Sequence, residues 1–357
     1  MDRYTDQDGL KFELQRRYNG ITPYGEKRKE FPDKSDFVEV FYTIEEKMNA
    51  EWHEDVNLGA AVAGDGLLTD HGIKHVQDVI THAGDILTDV KHLTGYEIFI
   101  LLLSIHFHDV GNIYGREAHE QKIADVIKEL GDALPLNIPE QQFICAIATA
   151  HGGYVDGDKD TISSYIGSDT KYGNVEFRPK VLASILRFAD EISDDLRRSK
   201  TKERFIPSQN QAFHAYSKSL QPVSIAGETI LMHFQIPYVL TQSKIGKGSN
   251  QVFLYDEILD RLAKCMRELE YCRKYADGII KITSLSVRID ILQENHFKPI
   301  EGAGDHFRLT LQGYPDARSH SLELYMEKSD FVTGVSKELK YKNGLDLKKK
   351  QSKGAKK

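Results

Sequence analysis

Apolar residues recur every three to four positions through most of the first 200 residues and alternate only later, so the chain reads as helices followed by a mixed α and β region. A helix is predicted over about 35–52, with Phe37, Val40, Phe41, Ile44 and Met48 on one face. A glycine- and alanine-rich stretch over 58–68 follows as a loop or short helix. From Asp70 to about Phe205 the pattern gives consecutive helices. One over 71–90 carries Val76, Val79, Ile80 and Ala83, and a nearly all-apolar one runs from Phe99 to Phe107. One over 118–130 carries Ile123, Val126, Ile127 and Leu130, with Gly131 suited to the residue after its end. Pro139 and Pro179 suit the first turns of two more, one carrying Ile144, Ile147 and Ala148, the other Leu182, Leu186 and Ala189. Between Tyr154 and Phe177 a stretch of glycines, aspartates and serines reads as a long loop, a candidate lid or substrate contact.

After Ile206-Pro207 the period changes. Residues 229–236 and 283–291 alternate as strands do, 306–312 and 321–326 read as two more, and 255–275 is an amphipathic helix. Its wide stripe, with Ile258, Leu262, Met266 and Leu269, suits core packing or the interface of a homo-oligomer. The expected fold is mainly α, a helical core with a smaller appended α+β subdomain. The boundaries expected are an extended lead-in over 1–34, the helical domain over 35–205, the C-terminal subdomain over 206–340 and a disordered basic tail over 341–357.

Composition narrows the class. Apolar content of 40% and charged content of 28% suit a soluble globular protein, and 357 residues can bury a substantial core. The longest apolar run, near Ile98 to Ile105, falls far short of the roughly 20 residues a membrane span needs. The first residues lack the apolar segment of a secretory signal, and Cys145, Cys265 and Cys272 form no CxxC pair; both point to a reducing cytoplasm. The formal charge is −7, with seven lysines against Asp346 after residue 340, so the rest of the chain carries about −13. Nucleic acid is therefore not an expected partner except through the basic tail.

The candidate chemistry lies in six ligand-type residues on successive helices: His75, His108, Asp109, His119, His151 and Asp190. His108 and Asp109 end the most apolar helix, where a carboxylate costs several kcal/mol unless something compensates it. A divalent metal is the economical partner, and the second carboxylate oxygen can bridge to another ion. Asp190 is driven into a buried helix in the same way, with an internal salt bridge to Arg187 or to another helix as the alternative. Arg116, in the loop before His119, is a candidate phosphate clamp; Lys74 and Arg187 flank ligand positions. His71 shares a helix face with His75 and could contact substrate or act as general acid. His82, two turns from His75, reads as structural.

The order His…His-Asp…His…His…Asp resembles the HD-domain superfamily of metal-dependent phosphohydrolases, over roughly Asp55 to Ser199. The segments that carry the resemblance are His75-Val76-Gln77-Asp78-Val79, His108-Asp109-Val110-Gly111 and Leu186-Arg187-Phe188-Ala189-Asp190. The resemblance implies one ion held by His75, His108, Asp109 and Asp190. His119 and His151 match the further histidines of two-metal members. Glu117-Ala118-His119-Glu120-Gln121 also resembles the step in deoxynucleoside triphosphate hydrolases where the histidine is catalytic, so His119 is a site residue of open role. One or two divalent ions (Mn, Fe, Mg, Co or Ni) are implied, with a metal-activated hydroxide attacking a nucleoside triphosphate, a dinucleotide or a signalling nucleotide. Similar stand-alone HD proteins occur in bacterial defence and nucleotide-signalling systems. The alternatives are a di-iron oxygenase on the same ligands and a non-catalytic nucleotide sensor.

Overall fold

In the computed structural model the described residues are 9–21, 29–62, 66, 68–168, 170–199, 202–293, 298–311, 322, 325–326 and 339–354. Contacts divide the chain into two compact units, one within Met1–Asp65, His71–Ser193 and Cys272–Lys281, the other within Gly66–Asp70, Asp194–Tyr271 and Ile282–Lys357. The predicted change of character at Ile206 thus comes 13 residues after Ser193, where the first unit breaks, and a short later segment returns to the first unit.

The first unit is helical. Its elements are α1 (Leu10–Tyr18), α2 (Phe37–Glu51), α3 (Val56–Ala60), α4 (Ile73–Asp85), α5 (Gly95–Phe107), α6 (Ile123–Leu130), α7 (Ile138–Thr149), α8 (Thr161–Tyr165) and α9 (Pro179–Glu191). Helix α5 is its axis: every residue is buried, so it has no solvent face to keep polar. Thr94 and Glu97 close its first turn as a reciprocal capping box, and Asn137 with Glu140 does the same for α7. Around it α2 buries Phe37, Phe41, Ile44 and Met48, and α9 buries Leu182, Leu186 and Ala189.

Three expectations are corrected in this unit. The lead-in is not all extended, since α1 forms and buries Leu10, Leu14 and Arg17. Arg17 bonds Glu13 one turn back, and Glu30 at 2.8 Å, so a polar-looking segment satisfies its charges internally. The helix expected from Ala118 begins only at Ile123, because Ala118 sits at φ +50, outside the helical region. The stretch from Tyr154 to Phe177 is not one long loop. It contains α8 and a hairpin of β1 (Thr170–Tyr172) and β2 (Val175–Phe177). Gly173 and Asn174 both adopt positive φ, the two-residue turn that suits strand twist, and Phe177 is fully buried. The hairpin packs on α7, with the Phe177 and Phe143 ring centroids 4.5 Å apart.

The second unit holds α10 (Gln211–Ser219), the small hairpin β5 (Ile245–Lys247) and β6 (Asn250–Val252), and a four-stranded sheet. The sheet runs in the order β3 (Ser224–Ala226), β4 (Thr229–Pro237), β7 (Ser284–Leu292) and β8 (Asp305–Thr310). Strands β4 and β7 are parallel neighbours, a pairing that requires a long crossover; α11 (Leu254–Ala276) lies within it. Met326 bridges Leu309 of β8, while half of the strand expected over 321–326 lies outside the described residues. The tail is corrected too: α12 (Gly344–Gly354) forms where disorder was expected, because Leu347 and the preceding Tyr341 find apolar cover. Among the described residues no helix is long and apolar enough to cross a membrane.

Candidate metal centre

Two helix ends and a tight turn bring the candidate ligands together. His108 caps the C-terminus of α5 and Asp109 follows it into the 3-10 turn Val110–Tyr114. A Cβ on Gly111 would lie 1.9 Å from the carbonyl oxygen of His119, so only glycine lets the His119 segment close onto that turn. His75 projects from α4, His151 lies just past α7, and Asp190 ends the buried face of α9. One donor atom each from His75, His108, Asp109 and Asp190 lies within 4.8 Å of all the others, and the same holds for Asp109, His119 and His151.

Asp109 is the hinge of this arrangement. Its Oδ2 faces His71 Nδ1 at 2.7 Å, His108 Nε2 at 3.2 Å and His75 Nε2 at 3.5 Å. Its Oδ1 faces His119 Nε2 at 3.2 Å and His151 Nε2 at 3.9 Å. Asp190 Oδ1 completes the first set, 3.1 Å from His75 Nε2 and 3.7 Å from His108 Nε2. Except for Asp190, whose side chain is 26% exposed, these groups are almost wholly buried.

The imidazoles are oriented for ligation. Nδ1 of His108 donates to the Ile105 carbonyl at 2.7 Å, and Nδ1 of His151 to the Ala148 carbonyl at 2.6 Å. Nδ1 of His119 meets the Arg116 carbonyl at 3.2 Å. A carbonyl can only accept, so the proton is fixed on Nδ1 and the Nε2 lone pair is left for a ligand role. His75 differs, since its Nδ1 is buried without a partner.

The electrostatics also fit a cation. Burial would raise the Asp109 carboxyl, but His71 and His108 hold it well below its ordinary value. Burial likewise works against Asp190, and its hydrogen bonds to His108 and His75 bring it well down. In return the two carboxylates overcome the effect of burial on His108 and push it up to about 10. His151 goes the other way, down to about 4, because burial and the neighbouring His108 disfavour its charge. Two ionised carboxylates among imidazoles attract positive charge, supplied by the Nε2 proton of His108 until a metal displaces it, and this donor set can hold a divalent metal.

The remaining expectations fare unevenly. Arg116 reaches the second set: its Nη1 is 3.3 Å from His119 Nε2 and 3.7 Å from Asp109 Oδ1. His71 is committed to Asp109, which makes it a support for that carboxylate. Lys74 is half-buried beside His75, with no ion pair to the cluster. Arg187 is corrected: it was expected at the substrate but is only 5% exposed, and it donates to Thr161 Oγ1 at 2.7 Å, bracing α9 against α8. His82 bonds Ser193 Oγ at 2.8 Å. Asn112 escaped the sequence reading. Fully buried, it donates to Asp109 Oδ1 at 3.0 Å and to the Asp109 carbonyl at 2.9 Å, and it accepts from Arg116 at 3.1 Å. Its only signal was its place three residues after Asp109, where a turn folds a side chain back.

The fold and this centre agree with the comparison to known families. The HD-CE family model matches residues 66–260, more than half of the chain, and the protein belongs to that family. No curated protein and no solved structure matches it.

Proposed function

We propose that the protein is a metal-dependent phosphohydrolase of HD type that cleaves a phosphate bond of a nucleotide, such as a nucleoside triphosphate, a dinucleotide or a signalling nucleotide. The observation that carries this reading is the division of Asp109, one carboxylate oxygen turned to each of two histidine sets. His75, His108, Asp109 and Asp190 would hold one ion, and Asp109, His119 and His151 a second. Bound divalent ions supply an acidified water at neutral pH and neutralise charge on phosphoryl oxygens.

The chain's own residues supply orientation. His71 holds Asp109 from one side and Asn112 from the other, so that each oxygen keeps lone pairs for its own set. The reading assigns His119 to ligation, because its Nε2 turns into the cluster and its Nδ1 is engaged by the main chain. Arg116, 45% exposed and 3.7 Å from Asp109 Oδ1, supports this reading as a cation that would meet a phosphoryl oxygen. The nucleotide part of the reading rests on the resemblance of the His-Asp series to nucleotide-cleaving members. A role in a bacterial defence or nucleotide-signalling system, in a reducing cytoplasm, is proposed on the same ground.

The test is metal analysis of the purified protein, followed by a nucleotide panel with Mn²⁺, Mg²⁺, Co²⁺, Ni²⁺ or Fe²⁺. Phosphate or pyrophosphate release is expected in the wild type. Both activity and bound metal should be lost in Asp109→Ala and His108→Ala with helix content unchanged. Oxygen consumption by an iron-loaded form without phosphate release would replace this reading with an oxygenase.

A further inference from the structure

Arg116 stands closer to the second set than a phosphate clamp requires. It follows Gly115, whose φ of +102 lets the chain turn back toward Asp109. Its Nη1 donates to Asn112 Oδ1 at 3.1 Å, and lies 3.3 Å from His119 Nε2 and 3.7 Å from Asp109 Oδ1. The last two are the atoms His119 and Asp109 would turn to a second ion. A guanidinium has donors only and stays charged at any working pH, so toward it the His119 nitrogen can act only through its lone pair. That is the electron pair a metal would need.

Asp109 Oδ2, His75, His108 and Asp190 meet one another, while Arg116 Nη1 faces the other carboxylate oxygen, Oδ1. Exposure differs as well. The Arg116 side chain is 45% exposed, against 6% for Asp109 and 4% for His119, so the arginine can leave while the ligands stay.

We infer that Arg116 and a second divalent ion are alternative occupants of the Asp109–His119–His151 set. The protein then holds one ion tightly in the His75–His108–Asp109–Asp190 set. The arginine provides the second positive charge until another ion, or an anionic phosphoryl group, draws it away. The inference rests on the proposed reading of the first set as an ion site.

The experiment is calorimetric titration of the metal-free full-length chain with Mn²⁺ in phosphate-free buffer. Ion content is checked by elemental analysis after gel filtration. Exchange coupling between two Mn²⁺ ions, read by electron paramagnetic resonance, reports double occupancy. The wild type should bind one Mn²⁺ tightly and a second more weakly. Arg116→Ala and Arg116→Gln should each bind the second ion at least tenfold more tightly, about 1.4 kcal/mol, with first-ion affinity within about twofold of wild type. A second-ion affinity that is unchanged or weakened in both variants overturns the inference while leaving the hydrolase reading intact. A wild type that takes up no ion at all overturns both.

Discussion

Asp190 and Asp194 stand four residues apart at the end of one buried helix and just beyond it, yet their surroundings give them opposite uses. Asp194 is matched by the guanidinium of Arg261, by Arg198 at 4.0 Å and by the Ser217 hydroxyl. These partners bring only positive charge or a donated proton, and the carboxylate is finished by them. Asp190 meets the Nε2 atoms of His75 and His108, which can give up a proton and become ligands themselves. The kind of partner therefore separates a structural carboxylate from one that can serve a metal, although burial alone treats the two alike.

The sharpest way to break this comparison is Asp109→Ala. Removing the carboxylate common to both sets should abolish hydrolysis, a loss on the order of 10³-fold or more, together with bound metal. Hydrolysis at the wild-type rate would end the assignment. Asp194→Ala should do the reverse. It leaves metal content unchanged and destabilises the fold by about 2 kcal/mol, because Arg261 loses one of two carboxylate partners and keeps Glu257 at 2.8 Å; denaturant titration measures this.

Acid separates the structural carboxylate further. Burial pushes Asp194 up, but Arg261, Arg198 and Ser217 more than offset it and hold it at about 2, below its ordinary 3.8. Its contribution is complete above the ordinary value and fades as the pH falls toward about 2. The stability gap between wild type and Asp194→Asn should therefore shrink over that window by about 2 kcal/mol. A gap that stays constant down to pH 2 would show that Asp194 does not titrate there. The smallest expected effect is that of Asn112→Ala. Loss of the amide that steadies Asp109 should weaken metal binding about tenfold with the fold retained, as measured by competition with a chromogenic chelator.

The metal centre was legible in the sequence because its parts are rare residues in costly places. An aspartate closing a helix with six successive apolar residues, Ile98 to Leu103, and histidines one turn from a buried stripe, stand out against the hydrophobic pattern. Arg187 was misread because adjacency to Asp190 says nothing about direction; on α9 it turns toward Thr161. Asn112 was invisible because a buried amide looks like any turn residue until its acceptor is known. The same limit hid α1, where Glu13, Arg17 and Glu30 look like solvated charges but neutralise one another inside the unit. In the tail, one lysine-rich segment contains the two apolar residues, Tyr341 and Leu347, that let its helix dock.

The carbonyl contacts of His108, His119 and His151 also bear on the order of assembly. Each ring is aimed by a main-chain group three residues before it, so its attitude is set once that single turn has formed. His75 has no such tether on its Nδ1; the edge of a neighbouring ring, His71, and carboxylates brought in from elsewhere in the chain aim it instead. Its attitude therefore depends on how α4 meets the ends of α5 and α9, and not on a turn of its own.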